Sequence, residues 1–429
     1  MNLLIKNGLV INPKTNLSGK YNVLIKDGII SDISNNINIS ADTETIDATD
    51  MIVSPGLVDV HVHLRDPGQT DKEDMHTGAL AAAAGGFTSI VAMANTEPPI
   101  DNVEIYKETQ ERANKEDINI YQIATITKGR KGEELVDMKA LVEAGCKGFS
   151  DDGSALMCKY TLEDAMMLAK ELNVPLSLHE EDPYYVATPG INDGSISEIM
   201  GYSGGAKDYA ESILLTRDAH IAQRIKCKIN FQHLSSHKSI DTLRAMMNES
   251  DEFRELIYAE LTPHHFSLNQ SSVLKSGTLA KMNPPLRTEF DREALIDSIH
   301  DNVIDIIATD HAPHTEQEKL RVFREAPSGI IGLETALGLA IKNLLVPGHI
   351  DINTLIRLMS VNPSSLYSLE AGDISVGKTA DITIFNTHER WVVDKNMLKS
   401  KAKNSPFIGD ELIGKVKYTI VKGKVIYKD

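Results

Sequence analysis

Between residues 57 and 310 the chain alternates short β-type runs with helical periodicity, and this alternation constrains its fold more than any other feature. The strand-like runs are 57–64, 88–94, 118–123, 148–152, 175–179, 228–233, 257–261 and 303–310. Helical segments are read at 72–84, 103–115, 133–144, 161–172, 206–226, 239–248 and 292–300. Strands that alternate with helices predict a parallel sheet. Eight such units can close into a (β/α)8 barrel. A doubly wound open sheet is the competing arrangement.

The two ends read differently. Segments 3–6, 8–11, 21–25 and 29–33 are short and rich in β-branched residues, with hairpin signals at Asn7-Gly8 and Asp27-Gly28. Near the other end, 380–385, 418–421 and 424–427 repeat this pattern around Lys422-Gly423. Ile5-Lys6-Asn7-Gly8-Leu9-Val10, Ile25-Lys26-Asp27-Gly28-Ile29-Ile30 and Val421-Lys422-Gly423-Lys424-Val425-Ile426 look alike. Neither half alone can bury its apolar face, so both ends are expected to form one small β-sandwich. This divides the chain into 1–54 and 366–429, which build the sandwich, and 55–365, which builds the barrel.

At 429 residues a large core or two domains are expected. The net charge of -17 argues against a nucleic-acid partner. The three cysteines, Cys146, Cys158 and Cys227, form no C-x-x-C pair and imply a reducing, cytoplasmic setting. The apolar run at the start breaks too early for a signal peptide, and no apolar run is long enough to span a membrane.

Chemistry collects where the strands end. In a barrel the C-terminal ends of the strands share one rim. Side chains alternate along a strand, so His61 and His63 share a face and can chelate one metal ion. Strand four ends in Ser150-Asp151-Asp152, strand five in His179, strand six in His233 and strand eight in Asp310. Phe149 should face the outer helices, which turns Ser150 and Asp152 inward. Asp152 is then the better ligand, able to bridge two metals, and Asp151 a supporting or turn residue. Asp310 closes the site as ligand and proton carrier, kept ionised by neighbouring cations.

His61-Val62-His63-Leu64-Arg65-Asp66-Pro67-Gly68, Met93-Ala94-Asn95-Thr96, Asp151-Asp152-Gly153, Met282-Asn283-Pro284-Pro285-Leu286-Arg287 and Thr309-Asp310-His311-Ala312-Pro313-His314 together resemble the type I branch of dihydroorotase, within the amidohydrolase superfamily. The likeness covers essentially the whole chain. It implies zinc-dependent, reversible interconversion of L-dihydroorotate and N-carbamoyl-L-aspartate in pyrimidine biosynthesis. It implies two zinc ions, with His61 and His63 on the more buried one, Asp152 bridging, and His179 and His233 on the second. It implies that Asp310 completes the coordination of the first metal and serves as catalytic acid/base. His63, Arg65, Asn95, Asn283, His314, Ser328 and Gly329 are the implied substrate contacts, with Arg65, Asn95 and His314 on the substrate carboxylate. Many relatives bridge their metals with a carbamylated lysine on strand four; Ser150 stands there, with Lys147 and Lys159 nearby. The family's usual Ala-Pro-Phe-Gly is here Ala326-Pro327-Ser328-Gly329.

A homodimer and association with aspartate transcarbamoylase are the partner expectations. The rival readings are a hydantoinase or allantoinase, and an inactive scaffold for the transcarbamoylase. His264 and His265 follow strand seven at the mouth, whereas His76 and His220 read as structural. Segment 314–327 is either a mobile lid or a solvated loop.

Overall fold

The computed structural model describes residues 2–38 and 43–429. Leu57–Val62, Phe87–Ala92 and Asn119–Gln122 pair in parallel, as do Leu176–Leu178, Ile229–Phe231, Ile257–Leu261 and Ile306–Ile307. Parallel bridges Ala124–Phe149 and Phe149–Leu176 join the two groups on one side, and Val62–His311 joins them on the other. The sheet is therefore closed, and the open doubly wound arrangement is excluded.

Several barrel elements are shorter than their patterns suggest, and in three of them a side chain takes over a backbone group. The fourth strand reduces to the single bridging residue Phe149, since the Asp151 carboxylate accepts the amides of Ile126 and Thr127 at 2.8 and 3.2 Å and bends the chain. In the eighth strand the Thr309 amide donates to the Asp59 carboxylate at 3.2 Å rather than to a backbone carbonyl of the adjacent first strand. The third helix covers only Met138–Glu143. Upstream, Leu135 bridges back to Thr127, and the Asp137 carboxylate caps the helix by accepting the Ala140 amide at 3.0 Å.

Strands from both ends form one eight-stranded sheet, ordered Lys424–Lys428, Glu411–Val421, Ile382–Val392, Ile52–Pro55, Asn2–Asn12, Leu17–Lys26 and Ile29–Ser34, with Glu44–Asp47 also against Asn2–Asn12. It buries its own core, including Leu3, Ile5, Val23, Ile382, Ile384 and Ile420. The hairpin expected at Asn7-Gly8 is absent. Asn2–Asn12 runs on as a single strand, and the pair forms a bulge where the register shifts between Ile5 and Gly8. Asn7 takes φ 64, and a Cβ on Gly8 would lie 2.4 Å from Val53 Cγ2, so only glycine fits this close crossing. Asp27-Gly28 and Lys422-Gly423 are two-residue hairpin turns with positive φ throughout. They nest tip to tip: a Cβ on Gly423 would lie 2.8 Å from Gly28 Cα.

The segment between Ile382–Val392 and Glu411–Val421 leaves this sheet and reaches the barrel, where Ser400 and Asn404 contact it. Among the described residues no helix is long and apolar enough to cross a membrane.

Candidate metal centre and active site

The strand ends do converge. His61, His63 and Asp152 present ligand atoms within 4.8 Å of one another, and so do Asp152, His179 and His233. Asp152 belongs to both groups. Its Oδ1 lies 3.4 Å from His61 Nε2, 3.5 Å from His233 Nε2 and 3.8 Å from His179 Nδ1, while Oδ2 lies 3.4 Å from His63 Nε2. Asp310 Oδ1 is 3.0 Å from His63 Nε2 and 3.6 Å from His61 Nε2. Asp151 is turned away into the bend described above. Lys147 and Lys159 are exposed and do not line the cavity.

The imidazoles are aimed by partners behind them. His61 Nδ1 donates to Glu260 Oε2 at 3.0 Å, with both side chains fully buried. Its Nε2 then faces the carboxylates with no hydrogen-bond partner. His63 Nδ1 donates to Asn95 Oδ1 at 2.8 Å, and Asn95 Nδ2 donates to Asp152 Oδ2 at 3.1 Å. A buried nitrogen without a partner costs roughly 1–3 kcal/mol. A cation between these nitrogens and carboxylate oxygens removes that cost, so the residues fit a divalent metal. Imidazole and carboxylate suit zinc among several such ions.

Charge is concentrated here. Burial works against the charge on His61, but without a cation between them Asp152 and Asp310 prevail and hold its imidazole well above the ordinary range, so a metal binding there displaces a proton. Burial likewise opposes ionisation of Asp310, yet His61 and His63 hold its carboxyl below the usual range. His179 is pushed down to about 3 by burial and by His233.

Arg65, His233 and Asp310 take φ of 59, 36 and 48. Non-glycine residues rarely adopt the left-handed region, at a cost of about 1–3 kcal/mol each, and such residues cluster at functional sites. All three line one cavity at the rim.

Above the ligands lies a cavity of about 220 Å³. It is lined by His63, Arg65, Asn95, Asp152, His179, His233, Asn283, Asp310, His314, Ser328 and Gly329, among others. His61 lies deeper. Arg65 Nε donates to the Pro313 carbonyl at 3.3 Å, and His314 Nε2 donates to the Ser328 carbonyl at 2.8 Å. Burial, with Arg65 adding to it, pushes His314 down to about 2, so its ring is neutral at physiological pH. Asn283 Nδ2 lies 3.4 Å from His179 Nε2. Ser328 thus contributes a backbone carbonyl to this edge, where side-chain identity matters less.

The other histidines stand apart. His311 points away from the cavity, with Nε2 towards Glu73 at 3.4 Å and Nδ1 accepting the Gly332 amide at 3.1 Å. His264 and His265 are buried in the short helix Pro263–Ser267 and do not line the cavity. His76 and His220 are exposed. Segment 314–327 is pinned: Thr315 caps a helical turn, Glu316–Lys319, and Lys319, Phe323 and Ala326 are buried.

Two contributors escaped the sequence reading. Glu260 could have been found as a lone carboxylate within an apolar strand. Asn404 lies in an aperiodic loop and carries no local signal. Its amide accepts the His314 N–H and donates to the carbonyls of Ala312 and Gly329, each at 3.1 Å.

The amidohydrolase family model matches residues 52–426. A dihydroorotase of Clostridium acetobutylicum is 49% identical over 427 residues, covering 100% of both chains. Dihydroorotases of Clostridioides difficile and Streptococcus pneumoniae are 48% and 47% identical, each covering 99% of this chain and 99% and 100% of their own. Among solved structures, an L-hydantoinase (dihydropyrimidinase) from Arthrobacter aurescens superposes with a TM-score of 0.87 at 21% identity, covering 99% of this chain and 96% of that one. A dihydropyrimidinase from Brevibacillus agri gives 0.85 at 21% identity, covering 100% and 95%. At that identity the likeness speaks to the fold: a TIM-type barrel with a β-sandwich.

Proposed function

Because the chain belongs to the amidohydrolase family, and within it to the dihydroorotases, we propose that the rim cavity is its active site and that two zinc ions occupy the two ligand groups sharing Asp152. The enzyme is a hydrolase acting on a cyclic amide. Its substrates are L-dihydroorotate and, in the ring-closing direction, N-carbamoyl-L-aspartate.

The observation that carries the site assignment is a single cavity in which an arginine, an asparagine and a neutral histidine face a carboxylate-bridged imidazole cluster. Dihydroorotate has a matching polarity, with an anionic carboxylate at one end and a scissile amide at the other. Divalent ions bound at the cluster would supply Lewis acidity, which lowers the pKa of water and polarises a carbonyl. Arg65 presents a planar fork suited to a carboxylate, with Asn95 and the His314 ring beside it. Asn283 holds the ring from the opposite wall. Asp310, kept ionised by its neighbours, takes the proton of the attacking water and passes it to the ring nitrogen that leaves. Oxygen joins the carbonyl carbon as the ring C–N bond breaks, and carbamoyl-aspartate results. Ring closure reverses each transfer.

A hydantoinase would have no need of Arg65 at this edge, and an inactive scaffold would have no need of all six ligand-type side chains. The three cysteines form no disulfide, which suits the cytoplasm. We extend the proposal to a homodimer associating with aspartate transcarbamoylase. The test is turnover of dihydroorotate, hydantoin and dihydrouracil by the purified protein, with a metal count on the same sample. Preferential turnover of dihydroorotate with about two zinc ions per chain is expected from the two ligand groups. Preference for either ring lacking the carboxylate would overturn the assignment of the cavity edge.

A further inference from the structure

Resting on that reading of the carboxylate edge, we propose that Asn404 is a positioning residue for substrate recognition, through which the C-terminal segment helps build the active site. Its side chain is buried, and its amide makes three bonds, accepting from the His314 N–H and donating both N–H groups to Ala312 and Gly329. Its own carbonyl accepts the Ile331 amide at 3.0 Å. One residue thus ties together the two rim segments that carry His314 and Gly329. Those segments already lie side by side, with the Ala312 amide on the Ile330 carbonyl at 2.7 Å. There is no slack between them: Gly329 has φ 115, and a Cβ there would lie 2.6 Å from Ala312 Cβ.

The same segment grips the rim a second time. The Lys401 amide donates to Glu73 Oε1 at 3.0 Å, and Ser400 Oγ donates to Glu73 Oε2, the oxygen that faces His311. From the far side, the Lys281 ammonium donates to the carbonyls of Phe323 and Ala326 at 2.8 and 2.7 Å. Backbone pairing joins the two segments at Ala312 and Ile330, and towards the cavity the Asn404 amide adds a link between the His314 and Gly329 backbones that sets their spacing there. Recognition of a planar carboxylate depends on that spacing, because misplacement by about 1 Å is enough to lose most of a contact's worth.

The experiment is steady-state kinetics in both directions on N404A and N404S, with R65A as control, alongside metal content and melting temperature. Serine retains a hydroxyl that can accept the His314 N–H. N404A is expected to raise KM for both substrates about tenfold or more, with kcat within about threefold and metal content unchanged. N404S should fall between N404A and wild type. If R65A leaves KM unchanged, the carboxylate-edge reading itself fails. If R65A raises KM and N404A does not, only the role of Asn404 fails. Metal loss with a matching fall in kcat, or failure of both Asn404 variants to fold, would make the residue merely structural and overturn the proposal.

Discussion

Glu260→Ala should deprive His61 of the tautomer that metal binding needs. Glu260 Oε2 lies 3.0 Å from His61 Nδ1 and holds the ring proton there. The Nε2 lone pair is thereby left facing Asp152 and Asp310 at 3.4 and 3.6 Å. Gln232 is the competitor, with its Nε2 3.2 Å from the same His61 nitrogen. Ser150 Oγ donates to Gln232 Oε1 at 3.1 Å, which fixes the amide orientation and leaves an N–H aimed at the ring. Without Glu260, the Gln232 amide donates to Nδ1, and the proton moves to Nε2, where two carboxylates favour it. A hydrogen bond to a charged group contributes about 1.5–3 kcal/mol net. At roughly 1.4 kcal/mol per decade, metal affinity should fall about 10–100-fold. Glu260→Gln keeps an acceptor within reach and should lose less than about tenfold. The assay is metal retained against a competing chelator, with the visible spectrum of the cobalt-substituted protein reporting the ligand set. Wild-type affinity in the alanine variant would refute the tautomer argument. Equal losses in both variants would refute it too, since charge rather than the acceptor would then decide.

Asp310→Asn should leave the fold intact and cut turnover by about 10²–10⁴-fold with altered metal content, as judged by kinetics and elemental analysis. Chelation should abolish turnover and lower the melting temperature, with zinc restoring both, because it uncovers buried ligands that repel or lack partners. Burial, reinforced by Lys281, pushes the Lys319 ammonium down to about 7, against an ordinary value of 10.5. Across that window the unfolded chain binds the extra proton, so this contribution to stability grows as pH rises and is lost as pH falls through about 7. From pH 7 to 9 the melting temperature of the wild type should therefore rise relative to that of K319M; parallel curves for the two proteins would contradict this.

Much of this architecture was legible residue by residue. Side-chain direction in a strand follows from backbone geometry, so the alternation at 57–64 already put His61 and His63 on one face. The parity of Phe149 separated Asp152 from Asp151, and the structure shows the separation: Asp152 lies among the imidazoles while Asp151 binds the amides of Ile126 and Thr127. Asp27-Gly28 and Lys422-Gly423 formed the hairpins their residues favour. Asn7-Gly8 has the same local chemistry and became a bulge, because Val53 from a later strand packs against Gly8 and continues the ladder.

The chain's own order of residues determined the periods, the turns and which ligand types stand at the strand ends, since each depends on neighbours a few positions away. Closure of the barrel determined the rest. Glu260 meets His61 across 199 positions and Asn404 meets His314 across 90, and no local pattern encodes which distant donor a buried group will find. Such partners are selected only when folding removes water and every buried polar group must be satisfied by whatever the tertiary structure has brought beside it.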